Sequence, residues 1–87
     1  MHETAIIRDE LIGRQVTIKD CTDPGWIGKT GMIIDETKNT FLIEMHNQQK
    51  RIAKRIATFE FEQQGKKTIV KGSRLIYRPE DRIKKAR

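Results

Sequence analysis

Lys50, Arg51, Lys54 and Arg55 crowd into six residues, and Lys66, Lys67, Lys71, Arg74, Arg78 and Arg82 continue the series toward the C-terminus. Cationic side chains at this density suit one chemistry, the neutralisation of phosphates, which releases condensed counterions and makes affinity fall steeply with salt. Their distribution is uneven. Residues 1–45 hold five bases and eight acids, net −3, whereas residues 46–87 hold thirteen and four, net +9. The total of +6 favours polyanionic partners. The plain alternative is a solvated charge run, but clusters this dense often track phosphate backbones. A site using about six of these bases should lose roughly three orders of magnitude in affinity between low and moderate salt.

Catalytic chemistry has fewer candidates. It needs a nucleophile with its base, a carboxylate set for a metal, or an acid and base with perturbed affinities. Of the two histidines, His2 lies at the chain end and His46 follows Met45 at a strand end, neither with a triad partner nearby in sequence. Asp35 and Glu36 are adjacent, and neighbouring strand residues point to opposite faces, so they cannot grip one ion without a bulge. A solvated turn is the expected place for both. Gly25, Gly28 and Gly31 lack the Lys-Ser/Thr ending and the following helix of a phosphate loop. The lone Cys21 can form neither an internal disulfide nor a zinc site. No catalytic residue and no metal ligand is therefore expected in this chain.

Aromatic residues make up 6% of the chain, too few for a stacking platform across single-stranded nucleic acid. Phe41, Phe59 and Phe61 fall on inward positions of alternating segments and belong to a core, and Trp26, between Gly25 and Gly28, is the one aromatic left open. Structured RNA read through shape and backbone fits this inventory best.

The elements that must position these bases are short strands. Gln15–Asp20 alternates polar and apolar residues with period two, and Asp23-Pro24-Gly25 breaks it. A second strand should begin near Thr30 and run through Ile34. Residues 35–40 suit a tight reversal, with Asn39 tolerating a left-handed backbone, and Phe41–Met45 follows. Thr58–Glu62 alternates around Phe59 and Phe61, residues 63–67 turn, and Thr68–Lys71 and Leu75–Ile76 supply the last strands. Five or six strands at this spacing indicate a small barrel. Ile7 and Leu11, four apart and stopped by Gly13, predict a helix over about 3–12. Pro79 with acids after it and bases beyond predicts another over about 79–86. Ile83 is almost the only large apolar residue of that tail, so it should firm up on a partner.

Eighty-seven residues make one domain, with the barrel core at about 13–76, where folding buries roughly 60–65% of the extended chain's surface. The first residues lack the basic flank and apolar stretch of a secretory signal, and no run approaches the ~18 apolar residues of a membrane span. A cytoplasmic protein without membrane contact is the expectation.

Glu10-Leu11-Ile12-Gly13, Gly28-Lys29-Thr30-Gly31 and the Asp35–Thr40 hairpin resemble the barrel-forming protein subunit of archaeal and eukaryotic ribonuclease P. Phe59-Glu60-Phe61, Gly72-Ser73-Arg74 and Arg78-Pro79-Glu80-Asp81-Arg82-Ile83 extend the likeness over nearly the whole chain. Ala53 stands where that family's Ile/Val-Pro-Lys pattern has proline. The resemblance implies a mainly all-β fold, a small Sm-like or SH3-like six-stranded antiparallel barrel with short terminal helices. It also implies binding to the specificity domain of ribonuclease P RNA, in a holoenzyme that removes 5′ leaders from precursor tRNA. The RNA would cleave with bound magnesium, and the protein itself would hold no cofactor. It further implies a heterodimer with a zinc-ribbon protein subunit, for which Ile6, Ile7, Leu11 and Ile83 are the candidate contacts.

A ribosomal or translation-associated barrel protein is the alternative reading, separated by which RNA is bound. A free-standing nuclease would need a base and metal pair that this inventory does not assemble. A peptide-binding barrel would need an aromatic-lined groove. If Lys50 and Lys54 both touch RNA, replacing both by alanine should flatten the salt slope and leave the melting temperature nearly unchanged.

Overall fold

A computed structural model of the chain describes residues 10–81. Most of both expected terminal helices, with Ile6, Ile7, Arg82 and Ile83, lies outside the described residues. Glu10–Gly13 forms a turn rather than the end of a helix, and helix begins at Pro79 as its fixed backbone angle favours.

Six strands form one antiparallel sheet: β1 (Gln15–Cys21), β2 (Thr30–Glu36), β3 (Thr40–Met45), β4 (Gln48–Ala53), β5 (Ala57–Gln63) and β6 (Lys66–Lys71). Their order is β4-β3-β2-β1-β5-β6. Period-two alternation builds it. Val16 and Ile18, Phe41 and Ile43, Phe59 and Phe61, and Val70 all point inward into one cluster with Ile33 and Ile52. Phe59 stands edge-on to Phe41 at 5.2 Å between centroids, the geometry their ring quadrupoles prefer.

In a flat sheet, five strand spacings would part β4 from β6 by about 24 Å. Ile52 of β4 and Val70 of β6 nevertheless share one core, so the sheet curls on itself. Among the described residues the curl stops short of closure, because β4 and β6 share no ladder. Two short 3-10 turns, Lys54–Ile56 after β4 and Gly72–Leu75 after β6, meet across the gap instead. The approach is close. A Cβ on Gly72 would overlap the Lys54 carbonyl oxygen and stand 2.7 Å from that of Ala57.

Three expectations are corrected. Leu75 and Ile76 form no strand; Leu75 ends the Gly72–Leu75 turn and is buried in the core. Asn39 is not left-handed: the hairpins with left-handed residues are the β3–β4 turn, at His46 and Asn47 (φ 49° and 64°), and the β5–β6 turn, at Gln64 and Gly65 (φ 53° and 79°). Two consecutive left-handed residues twist a hairpin in the sense its strands need. The β2–β3 reversal is closed instead by Thr37, whose amide donates to the Thr40 carbonyl at 3.0 Å and whose hydroxyl accepts from the Thr40 amide at 3.1 Å. Finally, Lys66 and Lys67 already belong to β6.

Candidate nucleic-acid interface

Part of the basic series borders the open seam between β4 and β6. Arg55, in the turn after β4, is exposed and borders two adjoining hollows. The larger, about 380 Å³, has Asn39, Thr40, Ala53 and Ile76 around Arg55. The smaller, about 110 Å³, has Thr58, Lys71, Gly72 and Ser73. Arg51 reaches the rim of the first, its Nη1 donating to Thr40 Oγ1 at 2.9 Å. Arg74 and Arg78 are exposed on the segment that follows β6. The seam thus presents guanidinium groups, a lysine, hydroxyls and an amide around a concave surface, which is chemistry for phosphate and ribose rather than for bond cleavage.

Not every base belongs to it. Lys66 and Lys67 lie at the opposite end of β6, about 17 Å and about 13 Å along the strand from Lys71. Lys67 borders a separate hollow with Glu60 and Glu62, where carboxylates repel phosphate. Lys50 is exposed on β4, about 13 Å along the chain from Lys54. Trp26 packs half-buried against the core.

Two assignments from the sequence are overturned. Leu11 is completely buried in the core and is no partner contact. Lys54 is also completely buried and cannot reach a phosphate. Its Nζ donates to Glu36 Oε2 at 2.7 Å, to the Leu75 carbonyl at 2.8 Å and, at a long 3.4 Å, to that of Tyr77. It also sits 4.8 Å from the Phe41 ring centroid, a favourable place for a cation. The ammonium group has three protons, and each has an acceptor in reach.

Sequence reasoning missed Glu36, which is buried as the lysine's partner while Asp35 is exposed. The two do point to opposite faces, but the expected solvated turn holds for neither: both lie in β2, and only Asp35 is exposed. The cause is an irregularity in the β2–β3 register between Ile33 and Asp35. Strict alternation from Ile33 would turn Asp35 inward; the bulge shifts the phase by one and turns Glu36 inward instead. Lys54 did leave a signal, since it lies two residues after inward Ile52.

The sequence profile of the ribonuclease P/MRP subunit p29 family matches residues 4–85. The chain belongs to that family. Ribonuclease P protein component 1 of Pyrococcus furiosus is 41% identical over 81 residues, covering 92% of this chain and 64% of that protein. That of Methanocaldococcus jannaschii is 44% identical, covering 92% and 85%. This p29-family chain thus spans under two thirds of the first relative and most of the second. Among solved structures, Mth11, described as a homologue of human RNase P protein Rpp29, is 40% identical with a TM-score of 0.61, covering 87% of this chain and all of that one. This p29-family chain thus carries its curled sheet of six antiparallel strands in a fold similar to that of Mth11.

Proposed function

We propose that this chain is an RNA-binding protein subunit of ribonuclease P, acting in tRNA 5′-leader removal by holding RNA along the β4–β6 seam. The observation that carries the reading is that Arg55 and Lys71 line two adjoining hollows at the seam of a p29-family member, with Arg51 bonded to Thr40 at the rim and Arg74 and Arg78 exposed on the segment after β6. Lys50, Lys66 and Arg82 are secondary contacts, and Lys67, beside Glu60 and Glu62, is not one. Its RNA partner is the specificity domain of the ribonuclease P RNA, its protein partner the zinc-ribbon subunit, and it meets precursor tRNA only through the assembled particle. Cleavage, and the magnesium that supports it, belong to the RNA, in the cytoplasm.

Among the described residues no three His, Cys, Asp or Glu side chains come together as a metal site. The test is to purify the tagged chain from its native cells at moderate salt and sequence the RNA that accompanies it. Enrichment of ribonuclease P RNA with a small zinc-ribbon protein is the expected result. Ribosomal RNA in its place would overturn the holoenzyme reading and favour a translation-associated barrel.

A further inference from the structure

We infer that Lys54 is a positioning residue for the RNA surface: from inside the barrel, its ammonium group fixes the backbone beside three exposed arginines. The chain order makes this possible. Lys54 immediately precedes Arg55, and the two carbonyls it binds belong to Leu75 and Tyr77, which adjoin Arg74 and Arg78. One buried side chain therefore ties the turn after β4 to the segment after β6 at the place where no ladder joins these strands.

The anchor itself is held from the far side. Glu36, at the end of β2, accepts at 2.7 Å with both side chains essentially inaccessible, and the Phe41 ring of β3 lies against the ammonium. Lys54 thus binds three parts of the fold: β2 with β3, its own turn, and the C-terminal segment. Backbone carbonyls are well suited to this role, because holding them orients the chain without occupying the neighbouring side chains. Gly72 lets the two turns come close enough for the lysine to span them, since any Cβ there would collide with the Lys54 backbone. Without the anchor, Leu75 would still pack in the core, but the chain beyond it would lose its tie to the barrel, and Arg74 and Arg78 their fixed spacing from Arg55.

The affinity part of this inference rests on the RNA reading above; the anchoring part does not, and the experiment separates them. The double variant Glu36→Leu with Lys54→Met removes the charges together, an exchange that buried pairs often tolerate. Lys54→Gln, which keeps a donor for Glu36 but is too short to span both carbonyls, serves alongside it as an independent check on folding. For each folded variant, two quantities are measured on the full chain: brief trypsin cleavage mapped at the Arg74–Leu75 bond, the Arg78–Pro79 bond being resistant to trypsin, and the salt dependence of binding to ribonuclease P RNA. Cleavage there at least tenfold faster than in the wild type, with the slope of log K against log salt reduced by about two phosphates' worth, roughly 1.8, is expected. A cooperatively folded variant with wild-type protection and a wild-type slope would overturn the inference. If Arg74→Ala with Arg78→Ala leaves the slope unchanged, those arginines do not touch RNA and the RNA reading fails there, while the cleavage result still judges the anchor.

Discussion

Replacing Lys54 by alanine should cost far more stability than replacing Lys50, four residues away in the same basic run. Lys50 is exposed, and truncating it should move stability by no more than ~0.5 kcal/mol. Lys54→Ala leaves the Glu36 carboxylate inaccessible and without its ion partner, a situation that costs ~3–5 kcal/mol where one member of a buried pair is removed. The Leu75 carbonyl also loses one of its two donors, keeping the Tyr77 amide at 2.9 Å. For a domain of this size 1 kcal/mol shifts Tm by roughly 4–8 °C, so Lys54→Ala should melt at least ~12 °C below the wild type, and Lys50→Ala within ~4 °C. Circular dichroism melts and urea titrations at fixed pH give both numbers. The sequence expectation that removing Lys50 and Lys54 together spares the melting temperature is thereby reversed, and for one residue only. A Lys54→Ala protein melting within ~4 °C of the wild type, with an unchanged urea m-value, would refute the argument that this buried pair holds the seam together.

Three further outcomes follow from the same geometry. Gly72→Ala places a methyl group into the Lys54 and Ala57 backbones, with no side chain that can swing aside, and should cost ~3 kcal/mol, the upper end of overpacking penalties, in a urea titration. Phe59→Ala empties the centre of the core beside Phe41 and should cost ~3–5 kcal/mol by the same measurement. Arg55→Ala should leave the melting temperature within about 4 °C and lower the salt slope of RNA binding by ~0.9, one phosphate's worth, in a fluorescence anisotropy titration at several salt concentrations.

How much of this was legible depends on what each segment shows in its side chains. β1, β3 and β5 announce themselves by alternation, and the structure places Val16, Ile18, Phe41, Ile43, Phe59 and Phe61 where that alternation puts them. β4 was hidden because Gln48-Gln49-Lys50-Arg51 is polar on both faces and Ile52 is its one large apolar residue. Its pairing with β3 is set by the two-residue turn at His46 and Asn47, not by a hydrophobic pattern. The basic segment could be read as a cluster, but its division into exposed Lys50, Arg51 and Arg55 and buried Lys54 depends on a carboxylate eighteen positions away. That carboxylate, in turn, faces inward only because β2 carries a bulge. Local pattern reports the strands; which member of a charged run goes inside is decided by a contact between strands that only the fold brings together.

Ala53 offers a test of the seam from the opposite direction, through the backbone. Its φ of −72° lies within the range that a proline ring enforces. Register decides whether a proline could be accommodated there. Thr40 pairs with Ala53, and the Lys54 amide donates to the Asn39 carbonyl at 2.8 Å. In an antiparallel ladder that bond makes Thr40 and Ala53 a non-hydrogen-bonded pair, so the Ala53 amide points away from β3 toward the open edge. Proline at this position gives up no ladder bond, and the residue before it, Ile52, is already extended as proline requires. Ala53→Pro should therefore stabilise the chain by ~0.4–1 kcal/mol through a stiffer unfolded state, read as a higher urea midpoint with RNA affinity unchanged. A destabilised Ala53→Pro protein would mean that the Ala53 amide has an acceptor across the seam, and that β4 and β6 are joined there by backbone as well as by Lys54.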